Sequence, residues 1–285
     1  GRVMKRGTIN SIYCLFYLSL VFLFWGCATP KAIISLNEVD SSQLLQKPIG
    51  VIVFVPGKSV SLTENLYRVF WIENNYTDYT FEGVWDPSII LRDNLVKTFQ
   101  EKTFHEKSKL TTIPLWEKLE PDVYNKLVEE SEIAFNKAQK EVNEQNNCQC
   151  PPYSYLKAKH SEGILSLRDT LGVDYILELY QNSISIWHHP PLTIMSAGAY
   201  GRLVRLSDGA IIWLDSGTGN YRLDDFNNFS ELEKNNFELL KKYYELTVNN
   251  LFNKDTMRAA PLENPYAFYI FKELFPKKEF TGSEL

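Results

Sequence analysis

The sequence predicts an α/β fold: a layered mixed sheet flanked by helices, with a helical excursion and a C-terminal helical tail. Three observations carry that prediction. Ile49-Gly50-Val51-Ile52-Val53-Phe54-Val55 is an unbroken apolar run closed by Pro56-Gly57, the pattern of a strand buried on both faces. Asp86-Pro87 opens a segment whose Leu91, Leu95 and Phe99 recur on one helical face. Further on, Ala199–Leu206 and Ile211–Asp215 flank Ser207-Asp208-Gly209-Ala210, and Asp-Gly between apolar runs is a strong hairpin signal. Leucine-faced helices need a sheet to cover, and together they make a layered domain.

The N-terminus has a different character. Lys5 and Arg6, with no acid nearby, precede a short apolar run from Ile12 to Trp25, and Gly26-Cys27 follows. A basic start, a short apolar stretch and a small residue read as a secretory signal over residues 1–26. The run is shorter than the roughly 20 residues of a membrane-spanning helix. An ordinary cleaved signal and an uncleaved anchor are the other readings. A cysteine directly after the cut site resembles a bacterial lipoprotein signal. That resemblance implies acylation of Cys27, a lipid anchor in the membrane, and a place in the cell envelope, at the outer membrane facing the periplasm.

Residues 27–47 are polar, include Ser41-Ser42, and read as a tether. Residues 48–285 read as a single α/β domain with a helical insertion at about 114–150. Within it, Lys58 to Trp85 is rich in Asn, Thr and Tyr and reads as a hairpin or a long loop over the surface. Asp86 is the expected N-cap of the first helix and Pro87 suits its first position. A short strand is expected near Leu110 to Ile113. Glu and Lys alternate from Glu117 to Glu144 around Leu119, Val123, Leu127, Ile133 and Val142. That is an amphipathic helix or helical pair broken near Pro121, either a solvated excursion or a partner-binding helix.

Ile164 to Leu171 should be a helix stopped by Gly172, and Val173 to Leu179 a strand that Ser183 to Trp187 extends past a bend. Ser216-Gly217-Thr218-Gly219-Asn220 reads as a turn, and Phe229 to Phe252 as a long helix with Leu232, Leu239, Leu240, Tyr243, Leu246 and Leu251 near the core.

The net charge is −5, and removal of a signal carrying Arg2, Lys5 and Arg6 makes the remainder more acidic. That balance argues against nucleic acid and against electrostatic attachment to anionic lipid. Of the four cysteines, Cys14 belongs to the signal and Cys27 to the anchor. Cys148 and Cys150 are candidates for a local disulfide. Pairing between chains and free thiols stay open, and a metal site lacks further ligands.

No motif assigns catalysis, a metal or a cofactor. There is no phosphate-cradling glycine loop and no Gly-x-Ser-x-Gly elbow. His188-His189 are neighbours on an extended segment and point opposite ways, which disfavours a shared metal. Asp174 and Glu178 read as edge or solvent-face residues, and Asp215, Asp224 and Asp225 as loop acids that nothing orients. Trp187, His188, His189 and Leu192, around Pro190-Pro191, form the best candidate for a partner contact.

Two phrases suggest a family. Leu171-Gly172-Val173-Asp174-Tyr175-Ile176-Leu177 follows a helix, and Gly201-Arg202-Leu203-Val204-Arg205-Leu206-Ser207-Asp208-Gly209-Ala210-Ile211-Ile212-Trp213 follows later. Together they resemble envelope lipoproteins with a fold like the N-terminal domain of TolB. The curli secretion channel lipoprotein and the penicillin-binding-protein activator lipoproteins belong to that group. The chain departs from the compact members at Pro114–Cys150 and in its tail. The resemblance implies a non-enzymatic protein that binds an envelope protein or assembles with itself; the alternative is an envelope hydrolase.

Overall fold

One long strand organises the computed structural model of this chain. It describes residues 34–55, 59–68, 71–102, 104, 108–146, 162–189, 192–223, 237–252 and 274. In chain order the elements are α1 (Glu38–Leu44), β1 (Ile49–Phe54), β2 (Ser59–Arg68), β3 (Trp71–Thr80), α2 (Pro87–Glu101), β4 (Thr112–Pro114), α3 (Leu115–Lys118), α4 (Pro121–Asn146), α5 (Glu162–Leu171), β5 (Tyr175–His189), β6 (Leu192–Arg205), β7 (Ala210–Arg222) and α6 (Glu238–Phe252). The result is the expected α/β fold, a seven-stranded mixed sheet with helices on both faces.

The hub is β5. Its first half pairs in parallel with β1, from Ile49↔Tyr175 to Phe54↔Tyr180. Its second half pairs in parallel with β2, from Ser61↔Ser185 to Glu64↔His188. Along its other side β6 runs antiparallel for the whole length, and β7 follows β6. On the outside, β4 borders β1 and β3 borders β2.

All six residues of β1 are buried, as its unbroken apolar run requires when both faces are covered. On the first face, Val51, Val53, Leu177, Leu179, Leu203 and Trp213 meet Leu44 of α1, Leu91, Leu95 and Phe99 of α2, and Leu240, Tyr244 and Val248 of α6. On the second, Ile52, Phe54, Ile176 and Tyr180 meet Leu115 of α3, Tyr124, Leu127 and Phe135 of α4, and Ile164 and Leu167 of α5.

Local signals place the helix ends. The Asp86 carboxylate accepts from Ser88 N–H at 2.9 Å, capping α2 with Pro87 in its first turn. Gly172 follows α5 with φ +64°, and its N–H bonds Arg168 O at 3.0 Å, the left-handed stop that favours glycine. Pro121 separates α3 from α4.

Several expectations need correction. The polar tether is packed from Ile34 onward. Ile34 exchanges backbone bonds with Leu214 at 3.1 and 3.0 Å, and α1 buries Leu44 and Asp40. Asp40 accepts from Arg205 at 2.8 Å, so polar residues there make contacts that composition reads as solvation.

Of the Lys58–Trp85 segment, expected as a hairpin or a long surface loop, Ser59–Arg68 and Trp71–Thr80 pair as a hairpin that lies within the sheet, with Val60 and Leu62 buried. The Ser216–Asn220 turn is instead strand β7. Its Gly219 admits a neighbour: a Cβ there would collide with the Thr247 carbonyl and the Leu251 backbone nitrogen of α6. The buried face of α6 is Leu240, Tyr244, Thr247, Val248 and Leu251. Leu232 and the start of the expected helix lie outside the described residues.

Gly219→Ala should therefore cost about 2–3 kcal/mol, because α6 has to move off the sheet. Urea unfolding monitored by circular dichroism measures it. Gly50→Ala should cost less, since its Cβ meets only the mobile end of the Ile176 side chain and a Leu115 methyl at 3.4 Å among side chains.

Candidate functional site

A one-residue irregularity decides what β5 presents to each face. Its pairing with β6 shifts register between Gln181 and Ser183. Before the shift, Tyr175, Leu177, Leu179 and Gln181 face α1, α2 and α6. There the Tyr244 hydroxyl donates to Gln181 Oε1 at 2.6 Å. After it, the even residues Ile184 and Ile186 take over that core face. Trp187, which continuous alternation would have buried, is thrown to the opposite side. It is 57% exposed.

Trp187 sits in a row that crosses the sheet on its second face. The register sets Tyr76 opposite Thr63, Thr63 beside Trp187, Trp187 opposite Ile194 and Ile194 opposite Arg222. Tyr76 is 74% exposed. The next row inward is polar: Asp78, Ser61, Ser185, Ser196 and Asn220. In it Ser61 Oγ donates to Asp78 at 2.7 Å and Ser196 Oγ to Asn220 at 2.6 Å. This end of the second face is an aromatic band over a hydrogen-bonded polar band.

The four residues proposed for a partner contact are split by the strand geometry. His188 faces the first side, with Nδ1 2.9 Å from the Thr193 hydroxyl. Trp187 faces the other side, and Leu192 is half-buried at the start of β6. The side chain of His189 lies outside the described residues, as do Cys27, Cys148, Cys150, Asp224 and Asp225.

Sequence reasoning missed Tyr76, because the pairing of β3 with β2 that brings it level with Trp187 is a tertiary fact. It also misplaced Glu178. That residue is 1% exposed, and its carboxylate accepts a bond from Arg202 Nε, itself buried. The two sit opposite each other in the β5–β6 register. An acid and an arginine, each inside an apolar run of adjacent hairpin strands, were the signal for that pair.

Asp215 is likewise no loop acid. It is buried in β7, and its carboxylate accepts from Ser216 N–H at 2.9 Å. Asp174 is half-buried at the start of β5, with Lys47 at 3.0 Å and Arg168 at 3.6 Å.

The Glu178–Arg202 pair is roofed by aromatics. Phe135 of α4 stacks on Tyr180 at 3.7 Å between centroids, and Phe54 meets Tyr180 edge-on at 5.0 Å. The cleft beside the pair measures about 10 Å³, room for one water at most. Among the described residues, no three His, Cys, Asp or Glu side chains cluster as metal ligands. Chemically the arrangement can hold two charges in register and present an aromatic surface.

No protein-family model matches the chain, and no curated protein matches it. Solved structures do show partial similarity. The lipoprotein GNA1162 from Neisseria meningitidis is 13% identical, with 64% of this chain and 88% of that chain covered and a TM-score of 0.29. Protein XCC0632 from Xanthomonas campestris is 8% identical over 80% and 88%, with a TM-score of 0.35. The C-terminal domain of LpoB from Salmonella enterica is 15% identical over 64% and 93%, with a TM-score of 0.19. Similarity at this level transfers no function to this chain.

Removing one partner of the buried pair should be severe. Glu178→Ala leaves a buried guanidinium without its carboxylate and should cost about 3–5 kcal/mol, whereas the double change Glu178→Leu with Arg202→Met should be near neutral. Thermal and urea unfolding of the three proteins separates these outcomes.

Alkali should also destabilise the chain. Burial pushes the hydroxyls of Tyr124, Tyr180 and Tyr244 upward, and the nearby Glu132 and Tyr200 add to the effect on Tyr180. The unfolded chain releases these protons near pH ~10 while the folded chain keeps them. The unfolded state then binds fewer protons, so stability falls as pH rises above that point. Unfolding midpoints between neutral pH and pH ~11 test the sign.

Proposed function

We propose that this chain is a lipid-anchored lipoprotein of a bacterial cell envelope that works without catalysis. It docks another envelope protein or a further copy of itself. The observation that carries the reading is Gly26-Cys27 at the end of a short apolar run that follows Lys5 and Arg6. Acyl chains on Cys27 would attach the chain, and more than one chain makes the attachment stable. The proposed location is the outer membrane, facing the periplasm. Among the described residues no helix is long and apolar enough to cross a membrane.

The docking half of the reading is supported by the exposed Trp187 at the end of β5, since tryptophan is enriched among residues that dominate interface energies. Leu192, across the hairpin tip, is its proposed companion. The hydrolase alternative required His188 or His189 to meet an acid or a thiol. His188 Nδ1 lies 2.9 Å from the Thr193 hydroxyl.

Fractionation of cells fed a labelled fatty acid tests the anchor. Wild type should carry label and sediment with membranes, and Cys27→Ala should lose label and leave them. An unlabelled wild-type chain would sink the lipoprotein reading. For the contact, in-cell crosslinking should give a discrete adduct that Trp187→Ala with Leu192→Ala reduces severalfold. An unchanged adduct removes that surface from the proposal.

A further inference from the structure

We propose that β3 is a docking strand, which takes up an extended, basic segment of another envelope protein as an added strand of the sheet. The sheet has three borders among the described residues, and two carry features that hinder pairing along all or part of their length. Strand β4 is only three residues long. Strand β7 has a register shift against β6 between Leu203 and Val204, and at Leu214 its backbone is already bonded by Ile34. Strand β3 has neither device. It runs ten residues, pairs with β2 through ten consecutive positions without a shift, and contains no Pro, Lys or Arg. Bulges, prolines, lysines and brevity are the usual means of keeping a border strand from pairing.

Its accessibility is visible in a run. Asn75, Tyr76, Thr77 and Asp78 are all exposed. Successive residues alternate between faces, so four exposed in sequence leave both faces open at this border. An incoming strand would find main-chain donors and acceptors for affinity, and alternate side chains for selectivity.

Charge selects the occupant. Between Ser59 and Thr80 the hairpin holds Glu64, Glu73 and Asp78 against Arg68 alone. Pairing with a second copy would bring acids to acids, whereas a basic segment is complementary. Tyr76 and Asp78 lie two residues apart on one face, and Asp78 is fixed by the Ser61 hydroxyl at 2.7 Å. Alternate Lys or Arg side chains of the added strand would meet the Tyr76 ring and the Asp78 carboxylate in turn.

That the partner is an envelope protein rests on the reading above; the strand addition does not, and the two fail separately. The test uses the full chain in detergent and a fluorescein-labelled nonapeptide of alternating Lys and Val. Fluorescence anisotropy should show saturable binding, and amide hydrogen exchange at residues 75–78 should slow about tenfold when the peptide is added. N-methylation of alternate peptide amides, or replacement of its lysines by glutamates, should abolish binding. Asp78→Lys should weaken binding about fivefold, with Asp78→Asn intermediate, and circular dichroism of each variant verifies the fold.

Binding that leaves exchange at 75–78 unchanged overturns the proposal, as does no binding at millimolar peptide. Protection of 75–78 in the protein alone that grows with concentration, together with a dimer in sedimentation, also overturns it and makes a second copy the occupant. A wild-type chain without lipid label would sink the lipoprotein reading and leave these outcomes as they stand.

Discussion

Everything in this sheet depends on how β5 is shared. A strand of fifteen residues outreaches the six-residue β1, so one side of it is filled by β1 and then by β2, both parallel to it. Beyond the end of β1, the hydrogen bonds of β5 would otherwise face solvent, and β2 takes them up. The price appears as the register shift at Gln181 to Ser183. By adding one residue, that shift keeps Ile184 and Ile186 on the core side and sends Trp187 outward. Core continuity and the exposed aromatic are two results of one irregularity.

The two faces are covered differently, and that difference separates packing from display. The first face is closed along much of its length by α1, α2 and α6. The close approach of α6 to Gly219 shows how little room is left there. On the second face α3, α4 and α5 cover the half around β1, where Glu178 and Arg202 are buried under Phe135 and Tyr180. At the far end the same face carries a hydrogen-bonded polar row and then Tyr76 and Trp187. The buried pair contributes little net stability against an apolar replacement, but it ties β5 to β6 in one register. Beyond Gln181 the pairing moves by one residue, so the exposed end has a register of its own.

The N-terminal segment shows why composition misleads at a packed border. Residues 34–47 look like a solvated linker because they are polar. Their polar groups are nevertheless used: Asn37 caps α1 by accepting from Asp40 N–H at 2.8 Å, Asp40 meets Arg205, and Gln43 accepts from the Tyr175 hydroxyl at 2.6 Å. The Ile34 bridge to Leu214 closes part of the β7 border. A polar residue with a partner and one with water are indistinguishable in a sequence.

Local chemistry was legible. The buried run of β1, the Asp86-Pro87 start of α2, the break at Pro121, the Gly172 stop and the Asp208-Gly209 hairpin each depend on a few adjacent residues. Steric and hydrogen-bonding rules act at that range, so the sequence by itself determined these elements and the α/β class. Tertiary structure alone decided the rest: that Lys58–Trp85 joins the sheet, that Ser216–Asn220 continues a strand beneath α6, that Glu178 finds Arg202, and that Tyr76 comes level with Trp187. Those outcomes are set by register between segments as much as 124 positions apart, such as Ser61 and Ser185. Pairing between distant strands is fixed by the whole core and not by either strand's own residues.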